Sequence, residues 1–387
     1  MFPRLCDLIN YLLGTGINLP VNTYGFFLAM AFLTGGVVLG FELRRKNRTG
    51  EIPSQQKKVL IGGPPDKMEL FSIALIGFIA GWKIVGIILN YQEFSNVPQQ
   101  YILSLKGSIP GAFLVSAILV VTAWFRMKKK ETKKPVWIEE TLYPHELTPM
   151  IVLIAATFGI IGAKLFDMIE HMDDFARDPI GTLFSLDGLT FYGGLILATF
   201  AVLWYTGRNK IRYPVLLDAA APGLILAYAI GRTGCQLSGD GCWGVINTAP
   251  KPGWMSFLPD WLWAFRFPHN VIDEGIRIAG CSGPHCSILP APVFPTSLYE
   301  MILGLIIFGI LMGIRKKLTI PGQLFSIYLI LNGFERFFIE RIRINIVYNL
   351  HGIHLTQAEM VAILLVLTGV FGLWFTGRKA EKGRMKN

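Results

Sequence analysis

Apolar runs of about 17–22 residues recur along the whole 387-residue chain, and each is closed by a basic cluster or a polar loop. Runs of that length match the hydrocarbon thickness of a bilayer, and backbone within it must satisfy its own hydrogen bonds, so such runs fold as spanning helices. The chain is therefore expected to be an all-α polytopic integral membrane protein. A hydrophobic fraction of 52% with only 16% charged residues agrees with this. The net charge of +10 would point to nucleic acid in a soluble protein. Here its distribution explains it. Roughly two thirds of the 36 lysines and arginines fall in alternate loops, and the other loops hold Arg4, Lys106, Arg177, Lys251, Arg266 and Arg277. That is the positive-inside asymmetry, and no nucleic-acid partner is expected.

Read in order, an outside segment with an interfacial helix around Leu5–Leu13 precedes nine spans. These are about Asn22–Leu43, Leu70–Leu89, Pro110–Phe125, Leu147–Ile169, Leu189–Thr206, Pro214–Arg232, Thr296–Ile314, Gln323–Arg343 and Met360–Thr376. The N-terminus is expected outside and the C-terminus in the cytoplasm. Met1–Val21 lacks the basic start and clean apolar core of a cleavable signal peptide. Residues 1–387 read as one membrane domain, and residues 237–295 as an extracytoplasmic arm rich in aromatics (Trp254, Phe257, Trp261, Trp263, Phe265, Phe267) that suits the headgroup layer.

A shift of 81 residues aligns Gly81 with Gly162, Lys83 with Lys164, Phe94 with Phe175 and Pro98 with Pro179. Ser104-Leu105, Gly107 and Leu114 then fall on Ser185-Leu186, Gly188 and Leu195. Residues 70–128 thus look like an inserted or duplicated transmembrane hairpin. Only the second copy carries the Tyr192-Gly193-Gly194 turn. Parallel repeats occur in transporters, and the mid-span lysines Lys83 and Lys164 suit that reading too.

The segment Gly231-Arg232-Thr233-Gly234-Cys235-Gln236-Leu237-Ser238-Gly239-Asp240-Gly241-Cys242-Trp243-Gly244 puts an arginine, a carboxylate and five glycines where an apolar helix is expected to unwind. A guanidinium at membrane depth costs roughly 2.5–3.5 kcal/mol on insertion scales and is kept where it faces a partner or a polar cavity. Its planar fork suits phosphate, and glycine lets backbone approach a ligand closely. An anionic headgroup site and a structural ion pair both fit this segment. On the eighth span Asn332, Arg336, Glu340 and Arg343 share one stripe at helical spacing. There Glu340 is expected to pair with Arg343 or Arg336, leaving one guanidinium for an anion. Asp218, fourteen residues before Arg232, is expected near the same helix face. Cys281 and Cys286 could close a small loop outside the cytoplasm. The stretch Cys281–Cys286 has no second ligand pair, so no metal site is assigned. No Walker loop, dinucleotide fingerprint, HExxH or GxSxG motif is present, and no cofactor is expected.

These pieces in this order resemble the bacterial prolipoprotein diacylglyceryl transferases. The likeness rests on Tyr24, Tyr192-Gly193-Gly194-Leu195, Asp218, Gly231-Arg232-x-Gly234, Ser238-Gly239-Asp240 with Trp243-Gly244, and Ala264-Phe265-Arg266-Phe267-Pro268. It continues through Pro295-x-Ser297-Leu298-Tyr299-Glu300 and Gly333-x-x-Arg336-x-x-x-Glu340-x-x-Arg343. The resemblance implies transfer of the diacylglyceryl group of phosphatidylglycerol to the lipobox cysteine of a prolipoprotein signal peptide, in the bacterial inner membrane, with glycerol phosphate released. It implies catalytic roles for Arg232, Arg336, Tyr192, Tyr24 and Asp240. It implies substrate-binding roles for Gly193, Gly194, Gly234, Ser238, Gly244, Lys164, Tyr299, Asn332, Glu340 and Arg343. The family pattern has His at Tyr192, Asn at Cys235, Glu at Asp240, Tyr at Asn332 and His at Phe294, and the usual seven spans lack the extra hairpin. A phosphatidylglycerol-binding paralogue with other headgroup chemistry and a lipid or solute transporter stand as the alternatives.

Overall fold

A computed structural model describes residues 1–61, 64–65, 67–96, 101–102, 104, 106–131, 136–184, 190–345, 347–350 and 353–384. Of the repeat positions, Pro98, Leu105, Ser185, Leu186 and Gly188 lie outside the described residues, as does Leu189 at the start of the fifth expected span. In chain order the helices are α1 (Leu5–Leu13), α2 (Thr23–Arg48), α3 (Lys67–Leu89), α4 (Tyr91–Asn96), α5 (Ile109–Lys130), α6 (Thr148–Glu170), α7 (Met172–Arg177), α8 (Pro179–Phe184), α9 (Phe191–Arg208), α10 (Tyr213–Ser238), α11 (Thr296–Ile314), α12 (Gln323–Glu340) and α13 (Gln357–Arg384). Three antiparallel two-stranded ribbons join them: β1 (Gln55–Ile61) with β2 (Val136–Leu142), β3 (Ile276–Arg277) with β4 (Ser287–Ile288), and β5 (Val347–Leu350) with β6 (Ile353–Thr356).

Among the described residues, seven helical segments are long and apolar enough to cross a membrane: Thr23–Arg48, Lys67–Leu89, Ile109–Lys129, Pro144–Glu170, Tyr213–Ser238, Thr296–Ile314 and Gln357–Arg378. Two further helices of 18 residues, α9 and α12, coincide with the fifth and eighth expected spans. α12 carries Glu335, Arg336 and Glu340, which lowers its apolar character for a reason taken up below.

The chain divides into two compact units. The first comprises Met1–Ile52, Pro144–Leu153 and Leu203–Asn387, and the second Pro53–Tyr143 and Ile154–Val202.

In the first unit, α10 is the central helix. It packs on α2 through small residues: a Cβ on Gly223 would come within 2.7 Å of the Gly35 carbonyl, so two backbones touch where side chains would hold them apart. Gly304 of α11 lies against Ala229 of α10, and Gly333 of α12 against Val366 and the Ala362 carbonyl of α13. Ala221, Ile225, Ile307, Leu311 and Leu324 fill the core between α10, α11 and α12. The α10 helix continues past Gly231 and Gly234, two turns beyond the expected unwinding point. Gly234 packs against Phe27 and the Tyr24 backbone, so contact with α2 compensates its low helix propensity. The break comes at Gly239, which closes the helix in the left-handed conformation (φ 67°) and donates to the Cys235 carbonyl at 3.0 Å.

Asp218 lies fourteen residues before Arg232 on α10, toward the other end of the helix. Its carboxylate accepts from the backbone N–H groups of Gly322 (2.8 Å) and Phe325 (2.9 Å), capping α12 from a neighbouring helix. The first turn of α12 has orphan donors and Gly322 offers no side chain for them, which is what draws an anion there.

The segment between α10 and α11 has its own small core of Trp243, Phe267, Leu289 and Val293, with Phe265 packed against it. Phe267 is thus an interior residue of the arm with Phe265 packed beside it, and Trp254, Phe257 and Trp261 are exposed aromatics. Cys281 and Cys286 form a disulfide within it.

In the second unit, α3 pairs with α5, and α6 with α9, through glycines. Gly81 meets the Gly111 carbonyl, and Gly162 meets that of Gly193. Lys83 donates to the carbonyls of Tyr101 (3.1 Å), Ser104 and Lys106 (2.9 Å), which makes it a tie for the connection between α3 and α5. Lys164 lies 3.3 Å from Asp167, which also takes His171 at 3.2 Å.

Candidate active site

Three guanidiniums converge on one carboxylate at the end of the first unit where α10 stops and α11 begins. Glu300, one turn into α11, is fully buried. Arg232 Nε of α10 stands 3.0 Å from its Oε2, Arg336 Nη1 of α12 is 3.0 Å from Oε1, and Arg343 Nη1 is 3.2 Å from the same oxygen. Arg336 also meets Glu340 at 3.2 Å. The three arginine side chains keep 18%, 24% and 14% of their surface, so they line the edge of the core. In ion pairs alone, three cations meet two carboxylates.

The expected stripe on the eighth span needs two corrections. α12 ends at Glu340, so Arg343 reaches the cluster from the loop beyond it. Arg343 pairs with Glu300 and Arg336 with both carboxylates, so the carboxylate that organises all three arginines is Glu300.

Arg232 is the least satisfied member. It shares Glu300 through Nε, and its plane lies 5.1 Å from the centre of the Tyr228 ring. Among the described residues its two terminal amino groups make no hydrogen bond. A guanidinium has five N–H donors, so Arg232 presents a fork with room for an anion. The Tyr228 hydroxyl donates to buried Glu335 at 3.2 Å, which fixes the ring under Arg232.

The loop after α10 sets the position of Arg343. Gly244 forms an antiparallel bridge with it and donates to the Phe294 carbonyl at 2.9 Å, and Val245 donates to the Ile342 carbonyl at 2.8 Å. A side chain at Gly244 would strike Ile342, Thr296 (2.8 Å) and Phe294 (3.0 Å), so only glycine permits this approach. Thr296 Oγ1 donates to the Cys242 carbonyl at 2.8 Å, tying the same loop to the start of α11.

Tyr24 opens α2, is 37% exposed, and lies within electrostatic range of Arg232, Cys235, Asp240 and Cys242. Asp240 Oδ1 accepts from the Cys242 N–H at 3.2 Å. The neighbouring Cys235 thiol holds the Cys242 thiol below the usual cysteine value, against the burial that raises it. Buried Ser238 receives the Val271 N–H on its carbonyl at 3.0 Å, and the Tyr299 hydroxyl donates to the Leu262 carbonyl at 2.7 Å, so both anchor the arm. Asn332 is half-buried one turn before Arg336. Gly234 sits at the α2–α10 contact described above.

Tyr192, Gly193, Gly194 and Lys164 belong to the second unit. Tyr192 is half-buried at the start of α9 with its ring 5.7 Å from that of Phe191. Gly193 and Gly194 meet the carbonyls of Gly162 and Gly159 on α6.

Sequence reasoning missed Glu300, Tyr228 and Glu335 as members of the cluster. A carboxylate inside an apolar span is as expensive as the guanidinium that needs it, and pairing Glu300 with Arg232 on that ground would have found the centre.

The helices and the cluster define a polytopic membrane protein with an anion-receptive arginine site at one end of a span. A model of the prolipoprotein diacylglyceryl transferase family matches residues 111–375, and the chain belongs to that family. A phosphatidylglycerol–prolipoprotein diacylglyceryl transferase of Dehalococcoides mccartyi strain 195 is 29% identical over 272 residues, covering 70% of this chain and 90% of the relative. A like-named protein of strain BAV1 is 31% identical over 59% of this chain and 75% of its own length. That of Corynebacterium efficiens is 30% identical over 59% and 68%. The family match starts in α5, so Tyr24 and the helices before α5 lie outside it.

Proposed function

We propose that this protein transfers the diacylglyceryl group of phosphatidylglycerol to the lipobox cysteine thiol of prolipoproteins and releases glycerol phosphate. The observation that carries the reading is the unshared fork of Arg232 beside Arg336 and Arg343. In the reaction the sulfur attacks the glyceryl carbon bonded to phosphate. The S–C bond forms, the C–O bond breaks with its electron pair going to the phosphate oxygen, and a phosphodiester of one negative charge becomes a phosphomonoester of two. Guanidiniums held in place by Glu300 need no reorganisation to stabilise that growing charge, and in a site of low dielectric this is the largest available term. Glu300 keeps the cations assembled before substrate arrives. The thiol proton leaves to a base or to the departing phosphate. Tyr24 and Asp240, within electrostatic range of each other beside Arg232, are the acceptors or positioning groups in this unit, and Tyr192 is their counterpart in the second. Gly193, Gly194, Lys164 and Asn332 are assigned to substrate contact. Gly234, Gly244, Ser238, Tyr299, Glu340 and Arg343 are assigned to shaping the cavity around it.

The protein is further read as nine membrane passes in a bacterial inner membrane, N-terminus out and C-terminus in, with residues 70–128 a duplicated hairpin and residues 237–295 an outer arm. Its partners are phosphatidylglycerol, prolipoprotein signal peptides and the bilayer.

The test is mass spectrometry of a lipobox peptide incubated with the purified protein in phosphatidylglycerol vesicles. A thioether-linked diacylglyceryl adduct with stoichiometric glycerol phosphate is expected. Unmodified peptide alongside lipid moved between leaflets would favour a transporter, and headgroup turnover without the adduct would favour a paralogue of other chemistry.

A further inference from the structure

Beside the arginine cluster, the last turn of α10 and the loop after it gather three side chains of a different character. Cys235 Sγ, a carboxylate oxygen of Asp240 and Cys242 Sγ all lie within 4.8 Å of one another. Two left-handed glycines create the arrangement. Gly239 (φ 67°) ends the helix and Gly241 (φ 89°) reverses the chain, so residues 240 and 242 fold back toward Cys235 on the helix end. The loop is held on several sides: Cys242 donates its N–H to Asp240, its carbonyl accepts from Thr296, and Val271 donates to Ser238. Cys235 is buried, and Cys242 and Asp240 are partly so. The ligands are therefore brought together by fixed backbone on three consecutive features of the fold.

Two thiols and a carboxylate form a borderline-soft donor set that suits zinc and its chemical neighbours better than magnesium or calcium. Deprotonated, the set carries three negative charges, so with a divalent ion the assembly has a net charge of −1. Three protein ligands leave a fourth tetrahedral position open. We propose that Cys235, Asp240 and Cys242 form a binding site for a zinc-class divalent cation at the outer end of α10. The proposal concerns this chain's metal content and goes beyond the transferase reading, with which it shares Asp240. The other cysteines are excluded by place: Cys281 and Cys286 are joined to each other, and Cys6 is buried in α1.

The experiment uses the full-length protein in detergent, freed of metal and reduced mildly enough to keep the Cys281–Cys286 disulfide, and titrated with Co²⁺. A sulfur-to-cobalt charge-transfer band that saturates at one equivalent and is displaced by Zn²⁺ is expected. Cys6→Ser keeps the band. Cys235→Ser and Cys242→Ser lower the affinity by more than the roughly 10–100-fold that loss of an outer-shell partner costs, and Asp240→Ala lowers it by about tenfold. In the unaltered chain Zn²⁺ should protect two of the three free thiols from maleimide, and a chelator should expose them again, which keeps the test valid if a serine variant misfolds. Three reactive thiols with no band at saturating Co²⁺ would overturn the proposal. So would a Cys235–Cys242 disulfide in protein isolated without reductant that binds no metal after reduction.

Discussion

Glu300 is a single anion holding three cations, and its removal takes from Arg232 and Arg343 the carboxylate they share, while Arg336 keeps Glu340. Losing one member of a buried ion pair costs about 3–5 kcal/mol. Glu300→Gln should lower stability by that order, read as a shift of the denaturation midpoint in detergent, and should abolish transfer because Arg232 and Arg336 lose their orientation. Tyr228→Phe keeps the ring under Arg232 and removes only the hydroxyl bonded to Glu335. It should cost about 1 kcal/mol in the same measurement. Arg232 and Arg336 were legible in the sequence because a guanidinium within an apolar run demands an explanation. Glu300 was not, because the first turn of a span is also where ordinary polar residues end a membrane helix.

At the scale of elements, two contacts separate support from chemistry. Asp218 caps α12 at the opposite end of α10 from Arg232, with fourteen residues of helix, about 21 Å, between them. Asp218→Ala should therefore destabilise the fold by about 1–2 kcal/mol, as loss of a helix cap does, and leave the transfer rate per folded molecule unchanged. Gly244 works the other way. Gly244→Ala places a methyl against Ile342, Thr296 and Phe294, moving the loop that carries Arg343. A displacement of the order of 1 Å costs on the order of 100-fold in rate, so kcat should fall far more than stability. The long helices start within about three residues of the expected positions, and α1 covers the expected range, because apolar length and flanking charge dictate them, whereas the short α4, α7 and α8 carry no such signal. The end of α10 was misplaced by two turns. Gly231 and Gly234 read locally as breakers, and only the neighbouring α2, absent from any local pattern, makes them packing positions.

For the whole molecule, the apolar pattern gives a polytopic membrane protein, and the family match over residues 111–375 agrees. The division into two compact units was not legible, because α6 and α9 continue unbroken from one unit into the other and leave no linker composition to read. The proposed topology predicts that a single cysteine placed at Lys251 reacts with an impermeant maleimide in intact spheroplasts, whereas one at Lys317 reacts only after lysis. Labelling of both from outside would contradict it. The central claim, that Arg232 and Arg336 together receive a lipid phosphate, is tested most directly by the transfer rate of Arg232→Ala and Arg336→Ala proteins in phosphatidylglycerol vesicles, measured as diacylglyceryl adduct on a lipobox peptide. Each should fall by about 10²–10³-fold, the loss expected for a preorganised donor to a developing negative charge, while the folded fraction is retained. Rates equal to the unaltered protein in either variant would contradict the account.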